Sequence, residues 1–166
     1  MKQLILMRHA KSDWQSGAAN DFERPLNKRG RRAAAEMGAL LKKRPKPPDR
    51  VICSPALRAR QTVERVFLQT GWRLDRLKFD ESLYLASLGD LIALCGEQAR
   101  ECDTLMLMGH NPGLEDLLKY LCGSESIRRT KKGKVFTTAN IATVALGPSG
   151  VARGGEGQLL ELVRPR

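Results

Sequence analysis

Three short apolar runs, Leu4-Ile5-Leu6-Met7, Val51-Ile52-Cys53 and Thr104-Leu105-Met106-Leu107-Met108, each stop abruptly at polar residues and are followed by a helical pattern. Runs of this length without polar alternation suit strands buried on both faces, and parallel sheets of such strands need crossover helices covering each face. The chain is thereby constrained toward an alternation of strands and helices. The residues that follow each run carry chemistry: Arg8 and His9 after the first, Arg58 a short helical step after the second, His110 after the third. Side chains at the carboxyl ends of parallel strands face the crevice where open α/β sheets bind ligands.

The remaining segments fit that alternation. Residues 13–27 are polar and glycine-interrupted and read as a loop beside the first strand's exit. Asn27 is placed to cap a helix in which Ala33, Met37, Leu40 and Leu41 recur at helical spacing, ended by PKPPD because proline cannot continue the hydrogen-bond ladder. After the second run, Ser54 reads as an N-cap with Pro55 at the first helical position, and Val63, Val66 and Phe67 supply the apolar face. Arg58 falls about one turn into that helix, within reach of the crevice, whereas Arg60 faces elsewhere. A short extended piece surrounds Leu77 and Phe79, and a helix covers 87–95. The third run exits at Gly109 and leads into the helix GLEDLLKYLC, and 128–134 reads as a basic exposed loop. Strands at 139–146 and 159–163, joined by a glycine-rich turn, form a hairpin.

Composition limits the function classes. A chain of 166 residues with 42% apolar residues fits one domain over 1–166 with a sizeable core. The four cysteines, Cys53, Cys95, Cys102 and Cys122, form no CxxC pair, so reduced thiols in a cytoplasmic protein are the expectation. Only two histidines are present, and Asp13, Asp21, Glu81 and Asp116 show no ligand spacing, which argues against a metal. No GxxxxGK[ST] or GxGxxG motif occurs, and no cofactor is expected. The N-terminus enters the first strand directly, and no run approaches a membrane span.

The formal charge of +11 favours anionic partners. Basic segments at 28–32, 42–50 and 128–134 raise a nucleic-acid or regulatory binding module as a rival from another class. No helix-turn-helix or zinc finger supports it, and aromatic content is only 5%, too little for a stacking platform.

If the three strands are parallel neighbours, Arg8, His9, Arg58 and His110 converge on one edge. Arginine's planar fork can hold two oxygens of one phosphoryl group, neutral histidine can attack phosphorus, and a charged second histidine can donate a hydrogen bond. The constellation reads as a phosphate site.

LILMRHAKSDW, SPALRARQT and GHNPGLEDLL, in that order, resemble the histidine phosphatase superfamily, whose members include phosphoglycerate mutases and acid phosphatases. Within it, RHAKSDW, DFERPLNKRG, FDESLY and the closing LVRPR are similar to the bacterial SixA-type phosphohistidine phosphatases. The resemblance implies a phosphoglycerate mutase-like α/β fold: a three-layer sandwich on a mostly parallel sheet with one antiparallel strand. It implies His9 as a transiently phosphorylated nucleophile, Arg8 and Arg58 as phosphate-holding arginines, and His110 as the second histidine. Ala10 stands where a glycine is common. Larger relatives carry an acidic proton donor on an insertion for which this chain has little room, and Glu81 in FDESLY is the nearest candidate. A phosphoramidate leaving group needs less protonic help than an alcohol. The implied activity is metal-independent removal of phosphate from phosphohistidine in proteins, with a histidine-containing phosphotransfer domain as partner. A small-molecule phosphomonoesterase or mutase is the alternative within the superfamily.

Overall fold

A computed structural model describes residues 1–166. In chain order the elements are β1 (Gln3–Arg8), α1 (Lys28–Lys42), β2 (Arg50–Cys53), α2 (Leu57–Thr70), β3 (Leu77–Phe79), α3 (Leu88–Gln98), β4 (Thr104–Gly109), α4 (Gly113–Cys122), β5 (Ile141–Ala145) and β6 (Gln158–Val163). The three apolar runs are indeed adjacent: the sheet order is β3-β2-β4-β1-β5-β6. Strands β3, β2, β4 and β1 are parallel, and β5 is antiparallel to both β1 and β6, so it is the one reversed strand.

Period-2 alternation within each buried strand separates two cores. Leu4, Leu6, Ile52, Leu105 and Leu107 point to the face covered by α3 and α4, where Leu91, Leu94, Leu114, Leu117, Leu118 and Leu121 meet them. Ile5, Met7, Val51, Cys53, Met106 and Met108 point to the other face, against Ala34, Met37, Leu41, Val63, Val66 and Phe67 of α1 and α2. Each fully buried aliphatic side chain contributes ~1.5–3 kcal/mol of transfer free energy. The result is the three-layer sandwich expected. All four cysteines are free, and no helix is long and apolar enough to cross a membrane.

Two local expectations need correction. Ser54 is not the cap of α2: its backbone N–H still donates to Met108 in the sheet ladder at 2.9 Å, and the helix begins at Leu57 behind Ala56, which makes no side-chain cap bond. The strand expected at 139–146 begins at Ile141, because Thr137 donates its backbone N–H to Asn140 Oδ1 at 2.7 Å and Ala139 adopts φ +60°. Residues 13–27 form the loop expected beside the first strand's exit, closed into a strap. Ser12 and Leu26 form an antiparallel bridge, and Asp13 donates its backbone N–H to the Pro25 carbonyl at 2.8 Å. The strap is tied to α2 where Leu26 donates to Gln61 Oε1 at 2.8 Å and Leu57 to the Phe22 carbonyl at 2.9 Å. Asn27 caps α1 as its sequence suggests, accepting from the Gly30 N–H at 2.8 Å.

Candidate active site

The register levels the carboxyl ends of three strands: Met7 and Cys53 both lie opposite Met108, and Arg8 lies opposite Gly109. The ladder continues one step past β1, His9 donating its N–H to the Gly109 carbonyl at 3.0 Å. His9 and His110 are thereby set side by side, ring centroids 5.1 Å apart and tilted by 53°. Arg58, on the first turn of α2, brings its Nε to 3.3 Å from His9 Nε2. The structure thus gathers His9, Arg58 and His110, with Arg8 adjoining His9 in the chain.

The hydrogen bonds of His9 fix its tautomer. Nδ1 lies 2.7 Å from the Ala10 carbonyl, which can only accept, so Nδ1 carries the proton. Nε2 then holds the lone pair, and it faces Arg58 Nε–H, which can only donate. Burial holds the imidazole neutral, its pKa well below the usual histidine value; the Ala10 carbonyl opposes this, and His110, Arg58 and Arg8 add to the depression. A buried neutral imidazole with its free lone pair at Nε2 is the protonation state a nucleophile requires. The turn is braced from α2: Ala10 donates its N–H to Thr62 Oγ1 at 3.0 Å, and Thr62 Oγ1 donates to the Arg58 carbonyl at 2.7 Å.

His110 packs edge-on to Tyr84, centroids 5.6 Å apart, and its Nε2 lies 2.7 Å from Ser54 Oγ. Burial, reinforced by Arg58, pushes its pKa down to about 4, with Asp21 opposing. The charged donor expected from sequence is therefore a neutral ring in the free protein. His110 Nδ1 and Arg8 Nε are both buried with no hydrogen-bond partner. Arg8 donates Nη1 to the Phe136 carbonyl at 3.2 Å.

Asp21, on the strap, shows no metal-ligand spacing in the sequence, yet it sits in the site. Its carboxylate accepts from Tyr84 Oη at 2.6 Å, Arg24 Nη1 at 2.5 Å and Arg58 Nη2 at 3.0 Å, while its carbonyl takes Arg58 Nη1 at 2.7 Å. The Tyr84 hydroxyl, then Arg24 and Arg58, hold that carboxyl well below the usual carboxylate range. Both terminal nitrogens of Arg58 are thus occupied by Asp21, and only Nε faces the nucleophile. The one signal in the sequence is the Asp21–Arg24 spacing of three, which is too common to single out. Ser54, Thr62 and Tyr84 likewise escape sequence reasoning as site residues, because their partners come from distant elements.

Glu81 lies on an exposed turn, Glu81–Leu83, capped by Asp80, whose Oδ1 accepts from the Ser82 N–H at 2.9 Å. Its carboxylate has no hydrogen bond or ion pair to Arg8, His9, Arg58 or His110. Arg60 faces away, its guanidinium 5.5 Å from the Phe79 ring centroid. No three histidine, cysteine, aspartate or glutamate side chains are grouped to hold a metal ion.

Comparison with known proteins bears on this arrangement. The family described as histidine phosphatase superfamily (branch 1) matches residues 4–103. The phosphohistidine phosphatase SixA of Escherichia coli (strain K12) is 33% identical over 156 residues, covering 89% of this chain and 88% of that protein. An uncharacterized protein of Mycobacterium tuberculosis, MT1313, is 33% identical over 141 residues, covering 83% of this chain and 85% of its own. The solved structure of a protein histidine phosphatase SixA complexed with tungstate superposes with a TM-score of 0.79 at 27% identity, covering 98% of this chain and 97% of that one. The chain belongs to the histidine phosphatase superfamily, branch 1, and is an enzyme of its phosphatase type.

Proposed function

We propose that this phosphatase removes phosphate from phosphohistidine on proteins, through a phosphorylated His9. The observation that carries the reading is the locked tautomer: Nδ1–H on the Ala10 carbonyl leaves a neutral Nε2 lone pair between Arg58 and His110. The similarity to SixA proteins supports the choice of substrate.

In the first step the Nε2 lone pair forms a bond to phosphorus while the bond from phosphorus to the departing imidazole nitrogen breaks. Arg58 Nε–H leaves the lone pair and passes to a nonbridging oxygen, and Arg8 and His110 compensate charge on the others. Preorganised donors of this kind are usually the largest single contribution to catalysis. A phosphoryl dianion favours protonation of His110, converting it into the charged donor that the free site does not hold. Water then attacks phosphorus, the bond to Nε2 breaks and inorganic phosphate leaves. The imidazole leaving group takes its proton before or during departure, so no dedicated acid is required. Glu81 is assigned to the lesser task of protonating oxygen leaving groups.

The partner proposed is a phosphorylated protein, such as a histidine-containing phosphotransfer domain. Such a domain presents phosphohistidine on a folded surface. The test compares kcat/KM for a phosphohistidine protein, free phosphohistidine and phosphomonoesters, with wild type, His9→Ala and Glu81→Gln. H9A should lose turnover and acid-labile labelling, and E81Q should slow only poor oxygen leaving groups. Undiminished turnover by H9A, or a preference for phosphomonoesters over every phosphoramidate, would overturn the reading.

A further inference from the structure

Beyond Arg8, away from His9, lies a cleft of about 310 Å³ lined by Arg8, Asn111, Lys119, Arg129, Lys134 and Phe136. It absorbs one of the basic segments that the phosphatase chemistry leaves unused. The segment is built: Thr130 donates its N–H to the Lys134 carbonyl at 2.8 Å, Lys134 donates back to Thr130 Oγ1 at 3.0 Å, and Gly133 supplies the φ of +77° the turn needs. Arg129 closes it, donating Nη1 to the Gly133 carbonyl at 3.1 Å. Arg164 anchors both flanks, Nη2 reaching the Arg128 carbonyl at 2.7 Å and that of Val135 at 2.9 Å.

The cleft is coupled to the reaction centre through one carbonyl. Phe136 O accepts from Arg8 Nη1 at 3.2 Å and from Asn111 Nδ2 at 2.7 Å, and Asn111 directly follows His110. The one carboxylate in the cleft, Glu115, is already engaged by the Phe136 N–H at 3.0 Å and by Lys119 at 3.1 Å. Arg129 and Lys134 belong to none of the chain's ion pairs, and Arg8 Nε is buried without a partner. The lining therefore sets four cations, Arg8, Lys119, Arg129 and Lys134, against the single carboxylate of Glu115, and it includes a residue that the proposed reaction uses.

We infer that this cleft is a subsite for carboxylate side chains of the substrate polypeptide, selecting phosphohistidine flanked by acidic residues. The inference rests on the function proposed above and specifies its substrate class. The cleft is open and has only two apolar lining residues, Val135 and Phe136, so it offers a charged surface to a large partner and little enclosure for a small ligand. Rim charges of this kind act on association and on discrimination between partners.

The test uses two phosphohistidine peptides that differ only in carrying two Glu or two Gln beside the phosphohistidine. Wild type should prefer the Glu peptide in kcat/KM by about tenfold, a few partly screened ion pairs being involved, and the preference should shrink from ~50 to ~500 mM salt. R129E/K134E should abolish or reverse it. K46E/K78E, which removes the same charge from the amino-terminal side of the sheet and from the outer strand β3, should keep it. Equal turnover of the two peptides by wild type, or a preference surviving in R129E/K134E, overturns the inference. Matching thermal melts establish that the variants fold, and R129Q/K134Q replaces the reversal if it does not. Calorimetric titration of the unphosphorylated Glu peptide decides the cleft without catalysis. Weakening in R129E/K134E alone supports the subsite even if no phosphohistidine peptide is hydrolysed, which would refute only the function; unchanged binding rejects the subsite.

Discussion

At the scale of single residues, the site holds an internal anion. Asp21 occupies both terminal nitrogens of Arg58 and also engages Arg24 and Tyr84. An incoming phosphoryl group meets an arginine whose charge is already partly balanced. Asp21→Asn keeps the shape and removes the charge, so inorganic phosphate should inhibit about fivefold more strongly, the size expected of one partly screened charge. The turnover number should fall at the same time, because Arg58 loses the carboxylate that orients it. Measuring the phosphate inhibition constant beside kcat checks this. Weaker phosphate inhibition would mean that Asp21 only positions Arg58 and does not compete with the ligand.

At the scale of elements, the strand ends are legible in the sequence and the strap is not. Apolar runs that stop at Arg8-His9 and Gly109-His110 announce buried strands and a ligand edge, because burial on both faces leaves an unmistakable residue pattern. Ser54 misleads because a serine before proline looks like a cap, whereas the ladder extends past Cys53 and turns the hydroxyl toward His110. Asp21 and Tyr84 meet across 63 residues, and no local pattern encodes such a contact. The first turn of α1 shows how an element can govern the site at a distance. A Cβ at Gly30 would stand 2.0 Å from the Lys11 carbonyl oxygen, in the segment just past His9. Gly30→Ala must push α1 or that segment aside, costing ~1–3 kcal/mol as overpacking does. Gly38→Ala, whose Cβ would meet Gln69 and Val66 at 2.9 and 3.0 Å, disturbs only the α1–α2 contact. Both variants should melt earlier, but G30A alone should also lose kcat, which steady-state kinetics on the folded proteins can establish.

At the scale of the whole molecule, the fold carries its only two histidines buried and neutral, and this couples stability to pH. Burial depresses both; the pKa of His110 is pushed down to about 4, and His9 moves in the same direction. The unfolded chain takes up protons near the ordinary histidine value of ~6.5, where the native state refuses them, so stability rises with pH across that interval. The contribution is complete above the unfolded value and is lost as pH falls toward the native one. For His110 the loss between about pH 7 and about pH 5 comes to ~2 kcal/mol, and His9 adds to it with the same sign. Asp21, Asp80 and Asp90 are shifted downward, so their contribution is lost as pH falls through the ordinary carboxylate value of ~3.9 toward the lower native ones, mostly beneath the histidine interval. The window is therefore specific to the histidines. Urea denaturation at stepped pH should show the midpoint falling steadily from about pH 7 to about pH 5, with a shallower slope in His110→Asn. Inorganic phosphate should flatten the slope as well, because a bound anion stabilises the protonated imidazole. A midpoint that stays constant over this interval would show that the histidines titrate alike in the folded and unfolded chain, and that neither is held neutral by the site.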